Sequence, residues 1–303
     1  MIVQIYEIQT PGEAEKCIEL GVDRIGSVLL SEEAWKQPEL KEVIGLSEGT
    51  KTENSLIPLM REKETLFKAM DYYRPHYVHF CESLTDGSGQ RMNLDGLIRL
   101  QEAFKEKFPE IGIIRSIPIP ARGTQDQFPF LEIAREMAPV SDLFLIDTWT
   151  ETEPVAGYIG ITGQTADWDM ARELVLDSPI PVLLAGGLSP DNVYDALLTV
   201  FPAGADSCTH TNQMENSGKP IRFRKDFNRV HAFVQEARRA EKAILKKKQS
   251  LQTKLEERRE ALKDREAALP AHSVRPHQLM VIEELEEEIA NLESELKHLD
   301  KAL

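Results

Sequence analysis

The chain has 303 residues with 51 acidic and 36 basic side chains, a net charge of −15, which excludes a nucleic-acid or anionic-membrane surface spread over the whole molecule. Hydrophobic residues make up 41%, enough to core one large domain with an extension. Three widely spaced cysteines, Cys17, Cys81 and Cys208, fit a reducing cytoplasm, and neither the opening MIVQIYEIQT nor any later stretch reads as a signal peptide or membrane span.

Up to about residue 234, short apolar runs alternate with amphipathic stretches. A strand at IVQIYEI precedes a helix at PGEAEKCIEL. Strands at DRIGSVLL and SLIPLM lead to a helix at KETLFKAMDYY. The pairs that follow are HYVHFC with LDGLIRLQEAFKEKF, GIIRSIP with FLEIAREM, LFLIDT with DWDMARELVL, and PVLLAGG with PDNVYDALLTV. A strand at ADSCT and a helix at DFNRVHAFVQEA close the series. Such alternation implies parallel strands with crossover helices, and eight strands in this length suit a closed (β/α)8 barrel over residues 1–240. A doubly wound open sheet is the alternative. The turn after the first strand, IQTPGEA, lacks the GxGxxG that such a sheet more often carries there.

Beyond residue 234 glycine vanishes and charge dominates. Ile282, Leu285, Ile289, Leu292, Leu296, Leu299 and Leu303 alternate at threes and fours, the seam of a coiled coil. Ile244, Leu251, Leu255, Leu262 and Leu269 form a looser heptad, with Lys248, Arg258 and Arg265 also in the seam. PAHSVRPH separates the two runs and stops the helix. Residues 241–303 therefore read as an antiparallel helical hairpin that continues the last barrel helix, with a basic and an acidic arm. It would serve a homodimer or a protein partner. His272 and His277 read as turn residues rather than metal ligands.

Chemistry in such a barrel gathers where strands end. The residues there are Tyr6 and Glu7, then His79 and Cys81 on one face, then Arg115 and Asp147. Ala185, Gly186 and Gly187 end the seventh strand, and Asp206, Cys208, Thr209 and His210 the eighth. Two glycine-bearing loops, GITGQT with Gly163 and LAGGLSPDNV, place backbone amides where an anion can sit without lysine.

Together these segments resemble phosphoribosylanthranilate isomerase. GITGQTADWD is similar to that family's GGTGKTFDW, and PVLLAGGLSPDNVYDAL to its seventh strand and following helix. GADSCTHTN with the later KDFNRVHAFVQEAR is similar to its GVDVSSGVE and closing helix. The resemblance spans the barrel and leaves out the tail. It implies an Amadori rearrangement of a phosphoribosyl amine, an aldose–ketose isomerisation needing no metal or cofactor. The family's base is a cysteine ending the first strand, and its acid is an aspartate ending the sixth. The acid matches Asp147. The phosphate loops match GITGQT, Gly186, Gly187 and the Cys208-Thr209-His210 turn beside Asp206. The base position holds Tyr6, whose phenol has an ordinary pKa of roughly 10. His79 and Cys81 are the expected substitutes, Glu7 being on the wrong strand parity. Arg115 is expected to contact an anionic ligand group or Asp147, and Trp35 stands near the place of the family's second-loop arginine. The alternative is a barrel that binds a phosphorylated ligand without this catalysis, or runs another reaction, with the tail as its working part.

Overall fold

The computed structural model describes residues 1–60, 62–124, 127–152, 154–269 and 276–302. Chain order is β1 (Ile2–Ile5), α1 (Pro11–Glu19), β2 (Arg24–Leu29), α2 (Pro38–Gly45), β3 (Glu53–Pro58), α3 (Lys63–Tyr73) and β4 (Tyr77–Phe80). There follow α4 (Asp95–Lys107), β5 (Gly112–Pro120), α5 (Phe130–Met137), β6 (Leu143–Trp149), α6 (Trp168–Asp177), β7 (Val182–Leu184), α7 (Val193–Val200) and β8 (Gly204–Ser207). Among the described residues these eight strands close a parallel barrel, sealed where Ile2 to Ile5 of β1 run beside Gly204 to Ser207 of β8. The predicted barrel is therefore the fold, and the open sheet is not. Helix α2 escaped the sequence reading because its apolar face is only Leu40, Val43 and Ile44.

Strand alternation sorts the side chains. Val3 and Ile5, Val78 and Phe80, and Ile113 and Ile117 pack outward under the helices, in the main core. Tyr6, Ile114, Leu143, Leu145, Leu183 and Ala185 face inward as a second cluster. The helix starts follow from the sequence: Asp167 caps α6 by accepting from the amides of Asp169 and Met170.

After β8 the chain adds an element not expected from sequence. Strands β9 (Asn212–Met214) and β10 (Pro220–Lys225) form an antiparallel ribbon whose register shifts between Pro220 and Lys225. Then α8 (Phe227–Ala267) runs unbroken for 41 residues, so the last barrel helix and the first arm are one helix. It returns as α9 (Pro276–Asp300). Ion pairs Lys248–Asp300, Lys247–Glu295, Arg259–Glu293 and Arg258–Glu288 cross between the arms in antiparallel order. Each has at least one exposed partner and contributes little alone. The root of the hairpin packs on the barrel, where Ile244, Leu251, Leu299 and Ala302 cluster with Phe201. Lys301 Nζ donates to the carbonyls of Val175, Leu176 and Ser178, closing the C-terminal end of α6. His272 of the predicted turn and Leu303 of the predicted seam lie outside the described residues. No described helix is long and apolar enough to cross a membrane.

Candidate active site

The loop after β6 crosses the barrel mouth. Ile159 N donates to Cys81 O at 2.9 Å, and Tyr158 bridges to Glu82, which ties the loop to the end of β4. On the far side His210 Nε2 meets Gly163 O at 3.0 Å. In between, Gly160 and Ile161 take positive φ values of 106° and 62°. Gly160 is obligatory, because a side chain there would run into the Asp147 carboxylate. Ile161 stands where GGTGKTFDW has its second glycine. A β-branched residue is seldom found in that conformation.

Under the loop, a buried hydrogen-bond chain runs through the residues expected to replace the base. Ser55 Oγ donates to Tyr6 Oη at 2.9 Å, Tyr6 Oη lies 2.6 Å from His79 Nδ1, and His79 Nε2 lies 2.7 Å from Ser116 Oγ. Burial, then the positive charges of Arg115 and Arg24, push His79 down to about 3, so the ring is neutral. In either tautomer of the neutral ring, Tyr6 Oη is the partner of Nδ1 and Ser116 Oγ the partner of Nε2. Both ring nitrogens are occupied, and His79 has no lone pair free for a substrate proton. Burial and Asp206 hold the Tyr6 phenol well above its ordinary range. Burial and Glu82 raise the Cys81 thiol, which removes the thiolate. Tyr6, His79 and Cys81 do line the cavity, but in forms unsuited to take a proton.

Two carboxyls are suited to it. Among the described residues Asp147, near the end of β6, accepts only the Thr148 amide, at 2.8 Å, and burial raises its pKa to about 6. Asp206, in β8, accepts from Gln4 Nε2 at 3.0 Å. Burial, with Asp147 as a further charge, raises it to about 7. Asp206 lies beside Gln4 in the β1–β8 ladder, which brings it next to the base position of the resemblance.

These carboxyls mark the join of two compartments. One, open at the mouth, is walled by Val28, Ile57, Leu59, Val155, Tyr158 and Ile159. The other is formed by Thr162, Gly163, Gly186, Gly187, Ser207, Cys208, Thr209 and His210. Asp147, Asp206, Cys208 and Ile161 line both. Gly187 (φ 61°) lies so close to the Gln164 backbone that a side chain would collide with it, so the two phosphate-type loops meet backbone to backbone. Behind the second compartment lies Lys225, 1% exposed. Its Nζ donates to Cys208 O, Asn212 Oδ1 and Thr211 Oγ1. Among the described residues no carboxylate pairs with it. The KDFNRV segment carried this residue in the resemblance, but nothing in the segment signalled burial.

Two expectations, for Arg115 and Glu7, need correction, and Trp35 lies away from the site. Arg115 does not reach the cavity. It sits on the outward side of β5 and binds Glu82, with NH1 to Oε2 and NH2 to the carbonyl, both at 2.6 Å. Trp35 packs edge-on against Tyr72 and lines neither compartment. Glu7, set aside on parity, does line the cavity. Strand β1 ends at Ile5, and Glu7 has φ 65°, so alternation no longer governs it. Its buried carboxylate takes Asn212 Nδ2 at 2.8 Å and Arg222 Nε at 2.7 Å. Burial alone would raise its pKa, but Asn212 and Arg222 outweigh that and lower it. Among the described residues no three His, Cys, Asp or Glu side chains converge as metal ligands.

Comparison with known proteins matches this architecture. The family model for N-(5'-phosphoribosyl)anthranilate (PRA) isomerase matches residues 101–236. A relative of that name from Haloferax volcanii is 44% identical over 111 residues, covering 37% of this chain and 45% of the relative. One from Methanosarcina acetivorans is 25% identical over 244 residues, covering 78% of this chain and 92% of the relative. At the higher identities the chain spans about half the length of the relatives it matches. The crystal structure of phosphoribosyl anthranilate isomerase from Thermotoga maritima superposes with a TM-score of 0.57 at 20% identity, covering 78% of this chain and 99% of that one. At that identity it speaks for the fold alone. The resemblance to phosphoribosylanthranilate isomerase read from the sequence holds over the barrel and stops before the hairpin.

Proposed function

We propose that the chain is an aldose–ketose isomerase of the phosphoribosylanthranilate isomerase type, acting on a phosphoribosylated aromatic amine. One observation carries this reading: Asp147 and Asp206 meet between an apolar compartment that suits an aryl ring and an amide-lined compartment that suits a phosphate. The ribose would then lie across both carboxyls. Protonated Asp147 gives its proton to the ring oxygen, the C1–O bond breaks, and an iminium forms. Ionised Asp206 takes the C2 proton to leave an enolamine, which tautomerises to the 1-amino-1-deoxyketose. The reaction has no net redox change, and proton transfers alone complete it. Lys225 and the loop amides would balance the phosphate charge. The three free cysteines are in the state a reducing cytoplasm maintains.

The test is loss of phosphoribosylanthranilate fluorescence on adding purified protein. Turnover is expected. Binding of a product analogue without turnover would instead favour a binding barrel, as Tyr6 in place of cysteine allows.

We also propose that residues 241–303 join two copies of the chain. Leu262, Ile282, Leu285 and Ile289 remain only partly buried in the hairpin, because two helices cover a single stripe. Light scattering should give twice the chain mass of 34.3 kDa, and Leu285→Lys with Ile289→Lys should halve it. A single-chain mass for both proteins would remove the dimer.

A further inference from the structure

We infer that Arg222 reads a carboxylate on the ligand's ring, and so sets specificity for acidic over neutral aryl amines. This rests on the reading of the cavity as a site for a phosphoribosylated aromatic amine. Among the described residues, Arg222 is the one cation that lines the apolar compartment. Although its Nε is paired with Glu7, a guanidinium that still presents its two terminal nitrogens favours a planar anion, which it can hold through two parallel hydrogen bonds.

The backbone is built to put it there. Between Pro220 and Lys225 the register shifts, with more residues on β10 than on β9 opposite, and an irregularity of this kind re-aims a side chain. Phe223, the next residue, takes a left-handed φ of 60°, a conformation that persists only where the surroundings enforce it. It turns the Phe223 amide onto Glu7 Oε2 at 3.2 Å and sets the Arg222 guanidinium 4.7 Å over the Phe223 ring.

Holding Glu7 does not account for the whole of Arg222. Glu7 takes only Nε from it and is otherwise served by Asn212 and the Phe223 amide. The two terminal nitrogens, on a side chain 38% exposed, make no hydrogen bond among the described residues. They are the pair that would grip a carboxylate, while Nε keeps the guanidinium oriented from behind.

Calorimetric titration with three probes tests this. They are a reduced 1-(arylamino)-1-deoxyribulose 5-phosphate with an ortho carboxylate, the same compound without it, and inorganic phosphate. The wild type should prefer the carboxylated probe by about 10- to 100-fold, the strength of a charge-assisted pair. Arg222→Met should erase that preference while leaving the neutral probe and phosphate unchanged, and Arg222→Lys should keep part of it. Glu7→Gln retains Arg222 but removes its competing charge, so it should tighten the carboxylated probe alone. Preference that survives in Arg222→Met, with phosphate binding intact, overturns this inference and spares the proposed function. Wild-type protein that binds neither aryl probe overturns both.

Discussion

Asp147→Asn and Asp206→Asn are each expected to cut kcat by about 10²- to 10⁴-fold, the usual worth of a positioned general acid or base. Substrate affinity should change little, because the phosphate and ring contacts lie in the two compartments on either side. The double variant should be hardly worse than either single one, since the two groups act together. The pH profile follows from the pair. With pKa values raised to about 6 and about 7, both carboxyls are protonated in acid and no base remains. Both are ionised in alkali and no acid remains. A narrow bell in kcat/KM results, with limbs that belong to the pair rather than to either residue. Asp147, the assigned acid, has the lower value, so the productive form is about a tenth of the singly protonated population. Asp206→Asn with turnover within about threefold of wild type would return the base to the Tyr6–His79 chain. An assay across pH 5 to 9 on the three variants decides it.

The same carboxyls make the site costly to the fold. Asp206 is 5% exposed, and its folded pKa is raised from 3.8 to about 7. A raised acid favours the neutral form in the native state. Its contribution is fully present below the unfolded value and is lost as pH climbs through about 7. The loss at pH 8 is on the order of 4 kcal/mol at most, roughly 1.4 kcal/mol for each tenfold difference in proton affinity between the folded and unfolded chains. Asp206→Asn stays neutral at every pH and keeps an oxygen for Gln4. It should therefore match the wild type near pH 4 and exceed it by about 2–4 kcal/mol at pH 8. Thermal melts at several pH values should show the gap open between about pH 4 and 7 and then flatten. A gap independent of pH would show that Asp206 titrates normally. An inactive yet more stable variant is what a site held against folding predicts.

The barrel was legible because its elements are long in the right period. FLEIAREM, read as a helix, is α5 without a residue's difference. The β9–β10 ribbon was not, because NQMENSGKPIRFRK has polar residues on both faces and owes its shape to Glu7, about 200 residues away in sequence. The site was half legible. Positions at strand ends put Asp147 and Asp206 at the barrel mouth, where both line the cavity, but alternation misled at both edges of its range. It kept Glu7 out where the strand had already ended, and it says nothing of a partner such as Glu82 that holds Arg115 outside. Nor does a sequence record that Tyr6 and Ser116 occupy both nitrogens of His79. Those contacts join three separate strand regions, and no local pattern contains them.

Helix α8 restricts how this chain can vary in length. Loops absorb a gained or lost residue by bulging, but 41 residues of uninterrupted helix offer no such slack. One residue inserted between the barrel portion and the arm would advance the arm by about 1.5 Å and turn it by about 100°. Leu299 and Lys301 would swing away from Phe201 and the end of α6, where they now dock. Seven residues restore the facing to within about 20° but lengthen the rod by about 10 Å, so a matching seven must enter α9. The hairpin can grow or shrink only in paired steps of two turns, like a gear train whose wheels must keep their teeth in phase.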